Sequence, residues 1–457
     1  MLALNNSNSA TCQKLWQGLT ILIMAGGSGE RFWPLSTRER PKQLLRLIDS
    51  KRSLIRMTVE RVLPMVSAER IFIATNEVQA AAVREELGMI PERNIILEPA
   101  FRDTAAAIGY GCTYVETLIP GSTMVVLASD HLIKDEEAFR RSLLVAVEVA
   151  ERSEAIVTLG IKPDRPETGY GYLETGESGA NGVSGVSGGG IKDGVGVPTK
   201  VLRFCEKPAL EQAVGYLESG RFLWNSGMFI FRVETMFRAF EQLMPEHWAV
   251  LKEISGLERE RGGGESGEAD YRERLKVLFQ RFVKISIDFG IMEKFPNTYV
   301  VPVDFGWNDI GSYPALAEVF PANENNTIVR NAQVKEYNSG GNIVIRSAES
   351  DVNGDIVKGV KSDVEGNAER DVKGDIVKGV KNDVEGNAES DVKGKVKGDV
   401  NGDVKSDVKS DAKSDVKSGR GGKVIALLGV HNMVIVETPD AILVCSKEEA
   451  QNIKKIL

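Results

Sequence analysis

The chain has 457 residues, enough for two or three domains, and its 42% hydrophobic content is ordinary for a globular protein. Lys and Arg number 57 against 65 Asp and Glu, and the net charge of −8 argues against a general nucleic-acid binder. No apolar run reaches transmembrane length, and the opening MLALNNSNSATCQK lacks the basic-then-apolar order of a secretory leader, so residues 1–18 read as a polar extension.

Leu19 to Ala25 is a short apolar run of the kind found in buried strands, and Gly26, Gly27 and Gly29 follow at once. Glycines directly after a strand let backbone N–H groups approach a phosphate. Arg31 and Lys42 stand at fixed offsets beyond them, so the stretch reads as a nucleoside-triphosphate site. A P-loop is excluded because no Lys-Ser/Thr follows, and a dinucleotide fingerprint because Phe32 stands where its third Gly belongs. A plain strand-to-helix turn remains an alternative.

Ser53 to Val66 has helical spacing, Arg70 to Thr75 reads as a second strand, a helix with Val83 and Leu87 follows, and Asn94 to Leu97 is a third strand. This alternation predicts an α/β fold with a doubly wound, mostly parallel sheet, whose ligands bind beyond the carboxyl ends of its strands. The small residues Ala105 to Gly111 predict a helix packed tightly on the sheet, with Thr104 as its cap. Met124 to Ala128 is another strand, and Asp130 at its tip is placed either for Mg²⁺ or to cap the next helix.

Residues 155–174 hold a strand and then ETGYGY, where glycines around Tyr170 allow backbone approach to a polar ligand. Gly176 to Pro198 reads as a flexible insertion in a hairpin. Glu206-Lys207 ends a strand before Pro208, although such a pair is usually a solvated surface pair. Asn225, between Trp224 and Ser226-Gly227, suits sugar hydroxyls. Residues 232–285 look helical, with a charged insertion near 258–270, and Asp309 lies between Trp307 and Gly311, where it could merely start a helix.

From about Leu316 the chain reads as a small β-domain, a short β-helix of Val/Ile-rich strands with Asn/Gly turns, closed by a helix from Glu448 to Leu457. Residues 351–370 and 371–390 are near-copies, and a KSDV-like run extends to about Ser418. A stacked solenoid and a disordered loop are the two readings. Without aromatics, and rich in Gly, Asp and Lys, the segment favours the loop. Deleting residues 351–418 is therefore expected to leave turnover intact.

The cysteines Cys12, Cys112, Cys205 and Cys445 are scattered, which fits a reducing cytoplasm and neither a zinc site nor a disulfide framework. His131, His247 and His431 are too far apart to suggest a metal cluster by spacing, and His131 reads as structural.

The motif GGxGxRxWPLS followed by Pro41-Lys42-Gln43 resembles the signature of sugar-1-phosphate nucleotidylyltransferases, most of all the mannose-1-phosphate guanylyltransferases. LEPxxRxTA, the ETGYGY loop and WNSGMF resemble further family segments, and the resemblance extends over most of residues 19–347 and 421–457. The resemblance implies a Rossmann-like nucleotidyltransferase domain at 19–315 and the β-domain at 316–457. It implies GTP and mannose 1-phosphate as substrates, Mg²⁺ as cofactor and GDP-mannose biosynthesis for polysaccharides as the setting.

The resemblance assigns the nucleotide to Ala25, Gly26, Gly27, Gly29, Arg31, Lys42, Glu98, Pro99, Arg102, Thr104 and Asp130. It assigns the sugar phosphate to Tyr170, Gly171, Glu206, Lys207 and Asn225, with Glu167, Thr168 and Gly169 on the hexose side, and the metal to Asp130 and Asp309. Arg31, Lys42, Asp130, Lys207 and Asp309 are the implied catalytic residues. The family usually has Asn where Asp103 stands, and often Ser where Asn308 stands. A cytoplasmic homodimer without nucleic-acid or membrane partners is expected. Another sugar phosphate or base, or a non-catalytic sensor of nucleotide sugars, is the alternative. The longer relatives' isomerase domain is not expected in this chain, nor is isomerase activity.

Overall fold

The computed structural model describes residues 18–27, 29–176, 191–261, 265–347 and 423–457. The N-terminal extension, residues 177–190 of the hairpin insertion, 262–264 of the charged insertion and the 351–418 repeat lie outside the described residues.

Chain order begins with β1 (Leu19–Met24), α1 (Leu54–Val62), β2 (Ile71–Asn76), α2 (Ala80–Glu86), β3 (Ile95–Glu98) and α3 (Asp103–Leu118). It continues through β4 (Thr123–Ala128), β5 (Leu132–Ile133), α4 (Glu136–Ser153), β6 (Ile156–Ile161), β7 (Tyr172–Thr175) and β8 (Thr199–Cys205). Next come α5 (Leu210–Ser219), β9 (Phe222–Arg232), α6 (Val233–Leu243), α7 (Pro245–Glu260), α8 (Glu265–Phe279), β10 (Thr298–Val303) and β11 (Trp307–Asn308). The last strands are β12 (Ile328–Arg330), β13 (Gln333–Tyr337), β14 (Ile343–Arg346), β15 (Val424–Leu428), β16 (Met433–Glu437) and β17 (Ile442–Ser446). A 3₁₀ helix over Glu448–Ile456 follows them.

The main sheet has the order β3-β2-β1-β4-β9-β6-β10-β8-β7. Only β8 and β9 run against the other strands. β1 is buried on both faces, as its unbroken apolar run requires. Leu22 joins a core with α3, α6, α7 and α8, whereas Ile21 and Ile23 join the opposite core with α1, α2 and α4. Each such side chain contributes about 1.5–3 kcal/mol by leaving water. The small residues of α3 do what their size predicts: a Cβ on Gly111 would stand 2.5 Å from the Leu22 side chain. This doubly wound arrangement places the ends of β1, β2, β3 and β4 along one edge.

Helix reaches only to Phe279 in the 232–285 stretch, because the chain there turns back to meet α3. In the C-terminal part, β12, β14 and β16 stack in parallel, with Ile328 beside Ile343 and Ile343 beside Val434. Asn326, Asn331, Asn338 and Asn432 take positive φ at its turns, a conformation Asn tolerates. This stack packs on the segment after the glycine loop, where the Tyr313 hydroxyl donates to the Phe32 carbonyl at 2.8 Å. Among the described residues, no helix is long and apolar enough to cross a membrane.

Candidate active site

The glycine loop leaves the end of β1 and is held against the segment that carries Lys42. Gly29 has φ +63°, and a Cβ there would come within 2.4 Å of the Lys42 backbone nitrogen. Only glycine combines that conformation with that approach. Arg31 lies exposed on the 3₁₀ turn Glu30–Phe32 directly after it.

Lys42 is 6% exposed. Its Nζ pairs with Asp130 Oδ2 at 2.8 Å and donates to the Asp309 carbonyl. Burial alone would raise the Asp130 carboxyl, but the Lys42 ammonium and His131 hold it below its ordinary value. Asp309 Oδ1 accepts from the Tyr170 hydroxyl at 2.7 Å and from the Gly311 N–H at 3.2 Å. Burial, with the Asp309 carboxylate beside it, pushes the Tyr170 phenol far up. The Tyr170 ring stands between Trp224 and Trp307, with centroids 5.2 and 5.3 Å away. Trp307 Nε1 donates to His131 Nδ1 at 3.1 Å, and burial holds that imidazole neutral, which fits a structural histidine.

A second group forms where β7, β8 and β9 meet. The Asn225 N–H donates to the Gly171 carbonyl at 2.8 Å, and a Cβ on Gly171 would stand 2.6 Å from Glu206 Oε2. Lys207, with φ +43°, pairs through Nζ with Glu206 at 2.6 Å and is largely exposed. Asn225 donates through Nδ2 to Asp288 at 3.1 Å and accepts from the Thr158 hydroxyl at 2.9 Å. Tyr170, Gly171, Glu206, Lys207 and Asn225 thus come together, next to the Asp309 cluster through the Tyr170 ring.

A cleft of about 730 Å³ opens beyond β1, β2 and β3, lined by Gly26, Asn76, Gln79, Glu98, Pro99 and Phe101 among others. Burial pushes the Glu98 carboxyl up to about 8. Arg102 and Thr104 do not join this cleft's lining. Arg102 Nη2 donates to the Gln280 carbonyl at 3.0 Å, and the Thr104 hydroxyl accepts from the Ile287 N–H at 2.9 Å. Thr104 is therefore not the helix cap. Asp103 begins α3 with φ +68°, and its Oδ1 accepts the Thr104 N–H at 2.8 Å. A left-handed position suits Asp as well as the family's usual Asn.

Asp288 and Gln79 also belong to these groups, each through a partner remote in sequence. Burial, with Glu206 adding to it, pushes the Asp288 carboxyl up to about 7. Among the described residues, no group of three or more His, Cys, Asp or Glu could cage a metal. The Asp130 carboxylate, partly exposed and paired with the buried Lys42 ammonium, and the Asp309 carboxylate, bonded to the Tyr170 hydroxyl, are a donor set that fits Mg²⁺ when substrate phosphates supply further oxygens.

Residues 20–326 match the nucleotidyl transferase family, and residues 406–457 match the MannoseP isomerase/GMP-like beta-helix domain. The xanthan biosynthesis protein XanB of Xanthomonas campestris pv. campestris is 38% identical over 301 residues, covering 65% of this chain and 58% of that protein. A mannose-1-phosphate guanylyltransferase of Klebsiella pneumoniae is 30% identical over 436 residues, covering 95% and 72%. A solved structure described as mannose-1-phosphate geranyltransferase, from Thermus thermophilus, aligns with TM-score 0.66 at 26% identity, covering 96% and 98%. The chain spans 58% of the length of XanB, the first of these relatives.

Proposed function

The chain belongs to the nucleotidyl transferase family, on the branch of its mannose-1-phosphate guanylyltransferase relatives, and from that premise we propose that it converts GTP and α-D-mannose 1-phosphate into GDP-mannose and diphosphate. The observation that carries this reading is the convergence of Lys42, Asp130, Asp309 and Tyr170 between the glycine loop and the Asn225 group.

A phosphate oxygen of the sugar phosphate attacks the α-phosphorus of GTP in line; the new O–P bond forms as the bond to diphosphate breaks. The attacking oxygen is already ionised, so no general base and no covalent intermediate are required. Two polyanions must be brought together, and catalysis rests on positioning and charge neutralisation. The loop at Gly26, Gly27 and Gly29, with Arg31 and Lys42, takes the triphosphate and the departing diphosphate. Ala25, Glu98 and Pro99 belong to the nucleoside side, while Arg102, just before α3, and Thr104, in its first turn, brace that side through Gln280 and Ile287. Lys207 holds the phosphate of the nucleophile, while Glu206, Asn225, Tyr170 and Gly171 take the sugar. Asp130 and Asp309 are the residues that would hold Mg²⁺, which when bound offsets phosphate charge.

The catalytic domain is assigned to residues 19–315 and the β-domain to 316–457. A cytoplasmic setting, which the scattered cysteines fit, and a homodimer, testable by light scattering on the purified protein, are part of the same proposal. The functional test offers the enzyme GTP, ATP, UTP or dTTP with mannose 1-phosphate or glucose 1-phosphate and separates the products by chromatography. GDP-mannose as the dominant product supports the reading. Preference for another base or sugar, or no nucleotide sugar at all, overturns it.

A further inference from the structure

Three carbonyls of the glycine loop, at Ala25, Gly27 and Gly29, are each taken by side chains beneath the loop. Ala25 O accepts from Gln43 Nε2 at 3.0 Å and from the Thr75 hydroxyl at 3.1 Å. Gly27 O accepts from Gln79 Nε2 at 3.1 Å and from Gln43 Nε2 at 3.3 Å. Gly29 O accepts from the Ser36 hydroxyl at 2.8 Å. Gln43, Gln79, Thr75 and Ser36 are all buried. The C=O and N–H of a trans peptide point in opposite directions, so a carbonyl drawn inward turns its partner N–H outward.

Gln79 is the part of this network with a fixed sense. Its Oε1 accepts from Gln43 Nε2 at 3.2 Å and lies 3.5 Å from the Thr75 hydroxyl. The Thr75 proton goes to the nearer Ala25 carbonyl, so the Gln43 donor is what holds the amide with its NH₂ end toward Gly27 O. The Gln79 backbone N–H is tied in turn to Asn76 Oδ1 at 3.1 Å. An isolated flexible glycine loop would present carbonyls as readily as N–H groups to an incoming phosphate, and carbonyls would repel it. A buried donor beneath the loop removes that alternative.

We propose that Gln79 is a positioning residue of the phosphate loop: by holding the Gly27 carbonyl inward, its amide keeps the loop's N–H groups facing the phosphates of a nucleoside triphosphate. The inference rests on reading the loop as a triphosphate site. Gln79 also lines the cleft beside Glu98, so direct contact with the base is the rival role.

The test compares wild type with Gln79→Glu and Gln79→Leu. Gln79→Glu keeps the size and the acceptor but sets an oxygen against Gly27 O; Gln79→Leu removes both hydrogen-bonding ends. Binding of GTP and of inorganic tripolyphosphate is measured in excess Mg²⁺ by calorimetry, alongside KM and kcat and the melting temperature without ligand. Both variants are expected to bind both ligands about tenfold more weakly, by the same factor, because a buried peptide loses its partner. KM for GTP is expected to rise while KM for mannose 1-phosphate holds. Weaker GTP binding with unchanged tripolyphosphate binding means a base contact and overturns the inference, as does unchanged binding of both. If wild type binds neither ligand, the triphosphate reading falls and the inference with it. Should both Gln79 variants fold poorly, Gln79→Asn, which keeps the amide but shortens its reach to Gly27 O, decides: about threefold weaker tripolyphosphate binding supports the inference, and unchanged binding overturns it.

Discussion

Lys42 Nζ lies 2.8 Å from Asp130 Oδ2 and also donates to the Asp309 carbonyl, so one buried ammonium ties the end of β4 to the segment after β11. Those elements are far apart in sequence, and the side chain that joins them comes from just beyond the glycine loop. Lys42 therefore holds the Asp130 carboxylate and the Asp309 main chain together, and brings a positive charge to the point where phosphates arrive. Lys42→Met is expected to lower kcat/KM by roughly a hundredfold or more, the scale of losing a preorganised charge at a reacting centre. The same variant loses the cation that holds the Asp130 carboxyl low. A carboxyl lowered on folding stabilises above its unfolded value and loses that contribution as pH falls, so acid unfolding of Lys42→Met is expected at higher pH than in wild type. Circular dichroism across an acid titration checks this.

Asp130→Ala and Asp309→Ala are each expected to reduce turnover by orders of magnitude, on the scale of removing a charge-positioning group. Asp309→Ala is expected to melt near wild type without ligand, whereas Asp130→Ala leaves the buried Lys42 ammonium without its partner and is expected to melt lower. Near-normal turnover in either would remove that residue from the metal assignment.

Tyr170→Phe keeps the ring between Trp224 and Trp307 but removes the donor to Asp309. A hydrogen bond to a charged acceptor contributes about 1.5–3 kcal/mol, so kcat/KM is expected to fall by roughly ten- to a hundredfold. Steady-state kinetics with varied mannose 1-phosphate measure this.

Gly29→Ala places a methyl where the Lys42 backbone nitrogen already stands and demands a left-handed alanine. The loop and Lys42 must shift together, and loss of most triphosphate binding is expected, measured by calorimetry. Gly27→Ala, where no atom lies within 4 Å of the added carbon, is the matched control for crowding.

Much of this arrangement was legible in the chain. The apolar run followed by glycines located β1 and its loop, and the alternation of strands and helices predicted the doubly wound sheet. The small residues of α3 announced close packing that Gly111 against Leu22 bears out. What stayed hidden depends on partners remote in sequence. Gln79 meets Gln43 across 36 residues, and Asp288 meets Asn225 across 63. Neither pair has a local signature. Thr104 looked like a cap because Thr commonly is one, yet its hydroxyl is taken by the Ile287 N–H, from a segment 183 residues further along the chain.

Asp288 makes a pH prediction of its own. Burial raises its carboxyl from near 3.8 to about 7, with Glu206 adding to the shift and Lys207 and Asn225 opposing it. Between those values the folded chain holds more protons than the unfolded chain, so stability falls as pH rises through that window. Asp288→Asn preserves an acceptor for Asn225 and removes this contribution. The variant is expected to melt higher than wild type at pH 8 and to show a shallower decline from pH 4 to 7, with Glu98 still supplying slope up to about 8.

The most direct measurement is diphosphate release from GTP by the purified wild-type protein, with and without mannose 1-phosphate and with and without Mg²⁺. The account predicts release only when all are present, in one-to-one proportion with GDP-mannose. Release from GTP alone, or diphosphate without matching nucleotide sugar, would contradict it.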